Sequence, residues 1–358
     1  MNFIPFNMDH DLKILKTEKS KIQDVDFNNF SFGSVFTDHM FECDFIEGKW
    51  VNPIIKPYQS ISVEPSASVF HYGQAIFEGM KAYKDKNNEV WLFRPDQNFE
   101  RINKSAVRMA IPEFPKDLFF EALTKLIDLD RDWVKQGEGR SLYIRPFVIG
   151  NEYAIQAVPS KSYKFMIICA PATLYYTKKL KVKVADKFSR AASGGVGYAK
   201  AAGNYAGQFY PTNLAKEEGF DQIIWTDSNE HNYLEEAGTM NVFFRINDTL
   251  ITAPTTDTIL DGVTRKSIIQ IAKDKGISVE IKKLKIEELK TAAKNGSLKE
   301  IFGAGTAAVV SEIKAFQHKG DLYELETQND SYAESLKGNL VGIQTNELDD
   351  PHNWRFKV

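Results

Sequence analysis

Apolar runs of strand length recur from one end of this chain to the other, with amphipathic stretches of helix length between them. "SLYIRPFVIG", "YKFMIICAPA", "DQIIWTD", "NVFFRI" and "TLITAP" read as strands. Pro95 to Met109 opens with Pro and Asp in its first turn, and Lys116 to Val134 sets Phe119, Leu123, Leu126, Ile127 and Trp133 on one face; both read as helices. Further helices are expected around Tyr205 to Glu218, Val263 to Lys275 and Ile286 to Lys294. "FECDFIEGKWVNPIIKPY" and "GMKAYKDKNNEVWLF" read as hairpins, the second turning at Asp85 to Asn88. The class is therefore α/β or α+β. At 358 residues the chain exceeds the size at which one core stops growing, roughly 250 to 300 residues, so two domains are expected. The weakly periodic "ATLYYTKKLK" marks the boundary. The reading is an irregular arm over 1–30, a smaller domain over 31–171, a linker over 172–180 and a larger domain over 181–358.

Charge and cysteine usage narrow the partners. A net charge of -3 with lysines scattered among acids favours neither nucleic acid nor an anionic membrane, leaving a small molecule. Cys43 and Cys169 are the only cysteines, each inside an apolar run, as suits buried free thiols in a reducing compartment rather than a disulfide or a metal site. The start "MNFIPFNMDHDLK" has no basic flank followed by an apolar stretch, and no apolar run approaches the roughly 18 residues that span a bilayer. The expected location is the cytoplasm.

"GGVGYAKAAGNYAGQ" sets one long cation, Lys200, among glycines and alanines. A lone lysine is ordinarily a surface residue. Here Gly194, Gly195, Gly197, Gly203 and Gly207 leave the backbone open to close approach by something bulky, and a desolvated lysine amine can form a Schiff base with an aldehyde. Three other stretches bear on it. "LEEAGTMNVFF" carries Glu235 and Glu236 before a glycine turn; paired acids there are usually solvated. "ILDGVTR" resembles a loop feeding a helix N-terminus, with Val263 and Thr264 offering free N–H groups to an anion. "GAGTAA" offers a second cradle with the Thr306 hydroxyl. Neither cradle matches a nucleotide-binding fingerprint. A lysine, an acid and two phosphate cradles are together what pyridoxal 5'-phosphate requires.

"GMKAY", "LFRP", "YIRPFVIGNE", "GGVGYAKAAGNY", "LEEAGTMNVFF", "LITAPTTDTILDGVTR" and "FGAGTAA", in this order from about Phe32 onward, resemble the signature blocks of the branched-chain amino-acid aminotransferases. That family belongs to the fold-type IV pyridoxal-phosphate enzymes. The resemblance implies a smaller N-terminal α+β domain, a larger C-terminal pseudo-barrel domain and a homodimer whose partner helps complete the pocket. It implies ping-pong transfer of an amino group between leucine, isoleucine or valine and 2-oxoglutarate. By the same resemblance Lys200 is the Schiff-base lysine and proton shuttle, Tyr205 the partner of the cofactor's phenolic oxygen, and Glu236, rather than Glu235, the partner of its pyridine nitrogen. Arg94, Val263, Thr264 and Thr306 match phosphate-binding positions. Tyr143 with the backbone of Thr306 and Ala307 matches the α-carboxylate site, and Tyr72, Phe77 and Arg145 match the side-chain pocket. Read singly, Tyr72 and Phe77 fit core aromatics, and Arg94 and Arg145 fit surface ion pairs. Some relatives have a Cys-x-x-Cys pair where this chain has Ala308 and Ser311. A D-amino-acid aminotransferase or an aminodeoxychorismate lyase shares the lysine, glutamate and cradles, but "YIRP" and "GMKAY" argue against both; a non-catalytic cofactor-binding protein is opposed by intact Lys200 and Glu236.

Overall fold

The computed structural model describes residues 11–176 and 178–358. Residues 1–10 of the expected arm and Thr177 of the expected linker lie outside them. The first half supplies β1 (Lys13–Ile14), β2 (His39–Ile46), β3 (Lys49–Pro57), β4 (Ala75–Phe77), β5 (Met80–Lys84), β6 (Val90–Phe93), β7 (Ser141–Gly150) and β8 (Tyr163–Ala172) to one mainly antiparallel sheet. Both expected hairpins form. Glu47 and Gly48 adopt positive φ (51° and 80°), the two-residue turn whose twist matches its flanking strands. Asp85 Oδ1 accepts from the backbone N–H of Asn87 and Glu89, which folds the second turn onto its own side chain.

Helices α1 (Ser68–Tyr72), α2 (Pro95–Arg108) and α3 (Lys116–Leu129) accompany this sheet. The apolar stripe of α3, Leu118, Phe119, Ala122, Leu123, Leu126 and Ile127, is fully covered by a core that includes Phe41 and Phe165. Each large side chain so buried stabilises by about 1.5–3 kcal/mol. The helix stops at Leu129, short of Val134, because Asp130 turns its carboxylate to the backbone N–H and ring Nδ1 of His39 (3.1 and 2.7 Å). Trp133 then sits on a separate 3-10 turn and donates to Asp38.

The second sheet contains β9 (Leu180–Val184), β10 (Gln222–Thr226), β11 (Tyr233–Ala237), β12 (Met240–Ile246), β13 (Thr249–Thr252), β14 (Ser278–Ile281), β15 (Leu284–Lys285), β16 (Leu298–Gly305), β17 (Val309–His318) and β18 (Asp321–Glu324). Along its order β12, β16, β17, β9, β10 and β11 are successive neighbours, and β11 pairs again with β12. That last pairing closes a six-stranded ring, in keeping with the pseudo-barrel that the resemblance implies for the larger domain. Its seam is the register Glu236↔Asn241 and Ala237↔Met240.

Helices α4 (Gly203–Glu217), α5 (Val263–Asp274), α6 (Ile286–Lys294) and α7 (Tyr332–Gln344) belong to this half, and β19 (Arg355–Lys357) crosses back to pair with β6. The sequence reading does not include α7, although its signal is present. Ser331 accepts from the Glu334 N–H as an N-cap, and Ala333, Leu336, Leu340 and Ile343 follow at helical spacing, all buried. They join Tyr83 and Phe93 of the first sheet, Phe243 and Phe302 of the second and Ile268 of α5 in one apolar cluster, which ties the two halves together. No described helix is long and apolar enough to cross a membrane. Cys43 and Cys169 are buried and unpaired, and burial pushes the Cys43 thiol up to about 12.

Candidate active site

Lys200 is held by its backbone before its side chain does anything. Its N–H donates to Ser105 Oγ of α2 (2.9 Å), its carbonyl accepts from Phe77 N, and Ala202 N donates to Ala75 O. The buried neighbours Ala199 and Ala201 let the segment lie flat against β4, where Ala201 bridges Ile76. Gly197 serves a contact of chain with chain rather than the approach of a ligand: a Cβ there would meet the Thr258 carbonyl at 2.7 Å and the Ala191 side chain at 2.6 Å. Gly203 and Gly207, by contrast, face open space.

The side chain of Lys200 ends in a cavity of about 560 Å³ between the two sheets. Its Nζ donates to the Tyr205 hydroxyl at 2.5 Å and stands 4.3 Å from the centre of the Phe77 ring. Burial, then the nearby Arg101 cation, pushes the amine down to about 8 against the pull of Glu78. Near neutral pH a useful fraction is therefore an uncharged nucleophile and base. Burial also pushes the Tyr205 hydroxyl up to about 12, so that it stays a hydrogen-bonding phenol.

Glu236 lies on β11 at the barrel seam, where the period of two along a strand separates it from Glu235. Glu236 is buried and lines the cavity, whereas Glu235 turns away and accepts from Thr258 Oγ1 at 2.7 Å. Around the Glu236 carboxylate stand Arg190 Nε (2.7 Å), Asn241 Nδ2 (3.2 Å) and the Leu260 N–H (3.3 Å). Burial pushes Glu236 up to about 7, and Arg190 opposes that rise. The sequence reading missed Arg190. Its guanidinium also holds the carbonyls of Thr258 (2.7 Å) and Gly197 (3.0 Å), so it orders the Lys200 loop and the acid together.

At another wall Gly262 caps α5 in extended conformation and has no side chain to bond the N–H groups of the first turn, which lack intrahelical acceptors in any helix. A Cβ on Gly262 would lie 2.0 Å from Asn241 Oδ1, so only glycine brings this cradle against the seam. Val263 and Thr264 line the cavity, as do Thr306 and Ala307 in the turn between β16 and β17. Ser311 Oγ donates to the carbonyl of Ala308 (3.2 Å), a link without redox chemistry. From the first sheet come Phe77, Tyr143 and Arg145. Arg145 Nη2 donates to the Tyr143 hydroxyl at 3.0 Å, its guanidinium lies over the Phe77 ring at 4.5 Å, and its buried Nε has no partner among the described residues. Gly79 makes room for Tyr143, whose hydroxyl would be 2.2 Å from a Cβ at that position.

Two expected residues stand outside this lining. Arg94, the left-handed N-cap of α2 (φ 49°), stacks on Trp354 and donates to Ser267 Oγ (2.9 Å), which in turn bonds the Val263 carbonyl in the first turn of α5. It thus braces the cradle from outside. Tyr72 ends α1 with 43% of its surface exposed, away from the cavity of its own chain.

A buried amine, a carboxylate opposite it, an uncapped helix N-terminus and a threonine-bearing turn around one cavity fit pyridoxal 5'-phosphate in charge and in donor chemistry. With the closed barrel, this cavity defines a pyridoxal-phosphate enzyme of fold type IV. Residues 75–316 match the family described as Amino-transferase class IV. The chain is 42% identical over 354 residues to branched-chain-amino-acid transaminase 1 of Bacillus subtilis, covering 97% of this chain and 99% of that one. It is 43% identical over 357 residues to a probable branched-chain-amino-acid aminotransferase of Staphylococcus epidermidis, covering 98% and 99%. The crystal structure of the Escherichia coli branched-chain amino acid aminotransferase superposes with a TM-score of 0.72 at 25% identity, over 89% of this chain and 98% of that one. The chain belongs to the class IV aminotransferases and, within them, to the branched-chain-amino-acid aminotransferases.

Proposed function

We propose that this protein moves the amino group between L-leucine, L-isoleucine or L-valine and 2-oxoglutarate, with Lys200 as its base. The observation that carries the reading is the buried Lys200 amine, held against Tyr205 in a cavity with one aromatic wall and one uncapped helix N-terminus. Pyridoxal 5'-phosphate, when bound, supplies an electron sink that lets a Cα–H bond lose its proton. Lys200 Nζ, with a pKa near 8, takes that proton from the substrate's Cα and gives it up again. Glu236 and Tyr205 would hold the cofactor's ring, the acid at the pyridine nitrogen and the tyrosine at the phenolic oxygen. Val263, Thr264 and Thr306 receive the phosphate, with Arg94 bracing α5 behind them. Tyr143 and the Thr306–Ala307 backbone receive the α-carboxylate. A panel of amino donors with 2-oxoglutarate as acceptor is the test: the branched aliphatic L-amino acids should exceed aromatic and D-amino acids. Preferred turnover of D-alanine would overturn the reading.

Two unlike side chains must share one pocket. A branched aliphatic group needs an apolar wall, and the second carboxylate of glutamate needs a cation, because a buried charge without a partner is strongly unfavourable. Phe77 provides the first and Arg145, whose Nε lacks a partner among the described residues, the second. Arg145→Met, which keeps the stem without the charge, should raise KM for glutamate and 2-oxoglutarate by about tenfold to a hundredfold, the worth of a charge-assisted hydrogen bond. In separate half-reactions leucine should change little. Equal losses for both donors would mean that Arg145 acts through Tyr143 on the common α-carboxylate.

The assembly we read is a cytoplasmic homodimer acting on small molecules. Phe70, Tyr72, Tyr153, Ile155 and Val158 expose 43–75% of their surface, which supports a partner copy over that region and makes Tyr72 available to the partner's pocket. Sedimentation reads the mass directly, and a fully active monomer would refute it. The division near 172–180 is likewise proposed, supported by sheets that, β19 apart, draw on residues before and after it; first cleavage elsewhere in limited proteolysis would count against it.

A further inference from the structure

β5 and β7 pair so that Lys81 stands directly opposite Tyr143. Opposed residues project from the same face of a sheet with Cβ atoms roughly 4.5–5.5 Å apart, so the lysine and the tyrosine leave the first sheet together. Tyr143 reaches the cavity. Lys81 spans to the other sheet, where its Nζ donates to the carbonyl of Ala307 at 3.2 Å. That residue belongs to the turn joining β16 to β17, and both Thr306 and Ala307 line the cavity.

Lys81 is only 5% exposed. Burial, opposed by no neighbouring carboxylate among the described residues, pushes its amine down to about 8. An ammonium has three donors, and one carbonyl satisfies one of them. A single neutral acceptor offsets little of the penalty of burying a cation, whereas an anion nearby would offset much more. The anion common to every substrate of the reaction proposed above is the α-carboxylate. Arg145 cannot serve all of them in the same way, since its charge is assigned to the second carboxylate of glutamate.

We propose that Lys81 is the positioning cation for the α-carboxylate: it clamps the Thr306–Ala307 turn whose backbone faces the substrate, and it supplies the positive charge behind that turn. The inference rests on the reading of Tyr143, Thr306 and Ala307 as the carboxylate site. Lys81 acts through the turn, so its signature is selectivity for the charge of the ligand, not its shape.

The experiment uses the cofactor-loaded enzyme and two ligands of one shape. 4-Methylvalerate has the carbon skeleton of leucine and a carboxylate but no amine; 4-methylpentanamide is its neutral counterpart. Lys81→Met should raise the Kd of the acid by about tenfold or more and leave that of the amide within about twofold, as expected for a lost charge at short range in a poorly solvated site. It should also raise KM for leucine and 2-oxoglutarate together, with a smaller change in kcat. Lys81→Gln keeps a donor without the charge and should resemble Lys81→Met. Equal weakening of acid and amide, or a Gln variant indistinguishable from the parent, would show that Lys81 only braces the turn and would overturn the proposal. Tyr143→Phe separates the two levels of the argument. If it weakens the acid while Lys81→Met does not, the role of Lys81 falls and the carboxylate site stands. If neither variant weakens the acid, the carboxylate site itself is misplaced and the proposal falls with it.

Discussion

Lys200→Ala should fold with both sheets intact, still take up cofactor noncovalently, and lose nearly all transamination. The backbone of residue 200 is held by Ser105 and Phe77 through main-chain groups, which alanine retains. What disappears is the amine beside Tyr205. Losing a positioned proton carrier alone lowers rates by about 10²–10⁴-fold, and losing the covalent attachment adds to that. Single-turnover measurement with leucine reads the first effect, and the absorbance of lysine-bound cofactor reads the second. Near-normal turnover would remove Lys200 from the chemistry.

The second large effect is expected at the seam of the barrel. Glu236→Gln keeps the size of the side chain but replaces an anion, paired with Arg190 at 2.7 Å, by a neutral amide. A preorganised charge facing the reacting system is typically worth about 10²–10³-fold in kcat, and a loss of that size is expected here with the cofactor still bound. Arg190→Met tests the same carboxylate from the other side. Glu236 is already pushed up to about 7 by burial, and removing the cation that opposes this rise moves it higher. Below its pKa the group is protonated and cannot act as the anion, so the acid limb of the kcat profile should shift to higher pH in Arg190→Met. An unchanged acid limb would show that Arg190 serves only to hold the carbonyls of Thr258 and Gly197.

Much of the architecture was legible because local rules agree with the global fold. α2, α4, α5 and α6 lie where the sequence reading sets them, α3 begins where its apolar stripe begins, and the hairpins turn where Gly, Asn and Asp permit positive φ or accept backbone N–H groups. The one overextended helix, Lys116 to Val134, stops early because a residue 91 positions away, His39, engages Asp130. Local propensity carries no trace of that partner. At the site, the motif blocks singled out Lys200, Tyr205, Glu236, Val263, Thr264, Phe77, Tyr143, Arg145, Thr306 and Ala307, and the fold gathers all of them around one cavity. Arg94 and Tyr72 stand apart, since the same blocks say nothing about whether a side chain faces its own cavity or leaves it.

The amino-acid sequence by itself determined the inventory and the local geometry: a strand period that separates Glu236 from Glu235, an uncapped glycine entry to α5, and small residues that let the Lys200 segment lie flat on β4. Only the tertiary structure decided the electrostatics. Glu78 and Arg101 form a buried pair whose arginine bears on the Lys200 amine and donates to the Asp261 carbonyl at the entry to α5. Arg190 reaches Glu236 from the loop that precedes Lys200, and Lys81 reaches Ala307 from a position 226 residues away. The physical reason is that a charge in a poorly solvated interior takes its protonation state and its work from whatever groups are brought within a few ångströms. Spacing along a chain does not record such meetings; closing the barrel and setting it against the first sheet creates them.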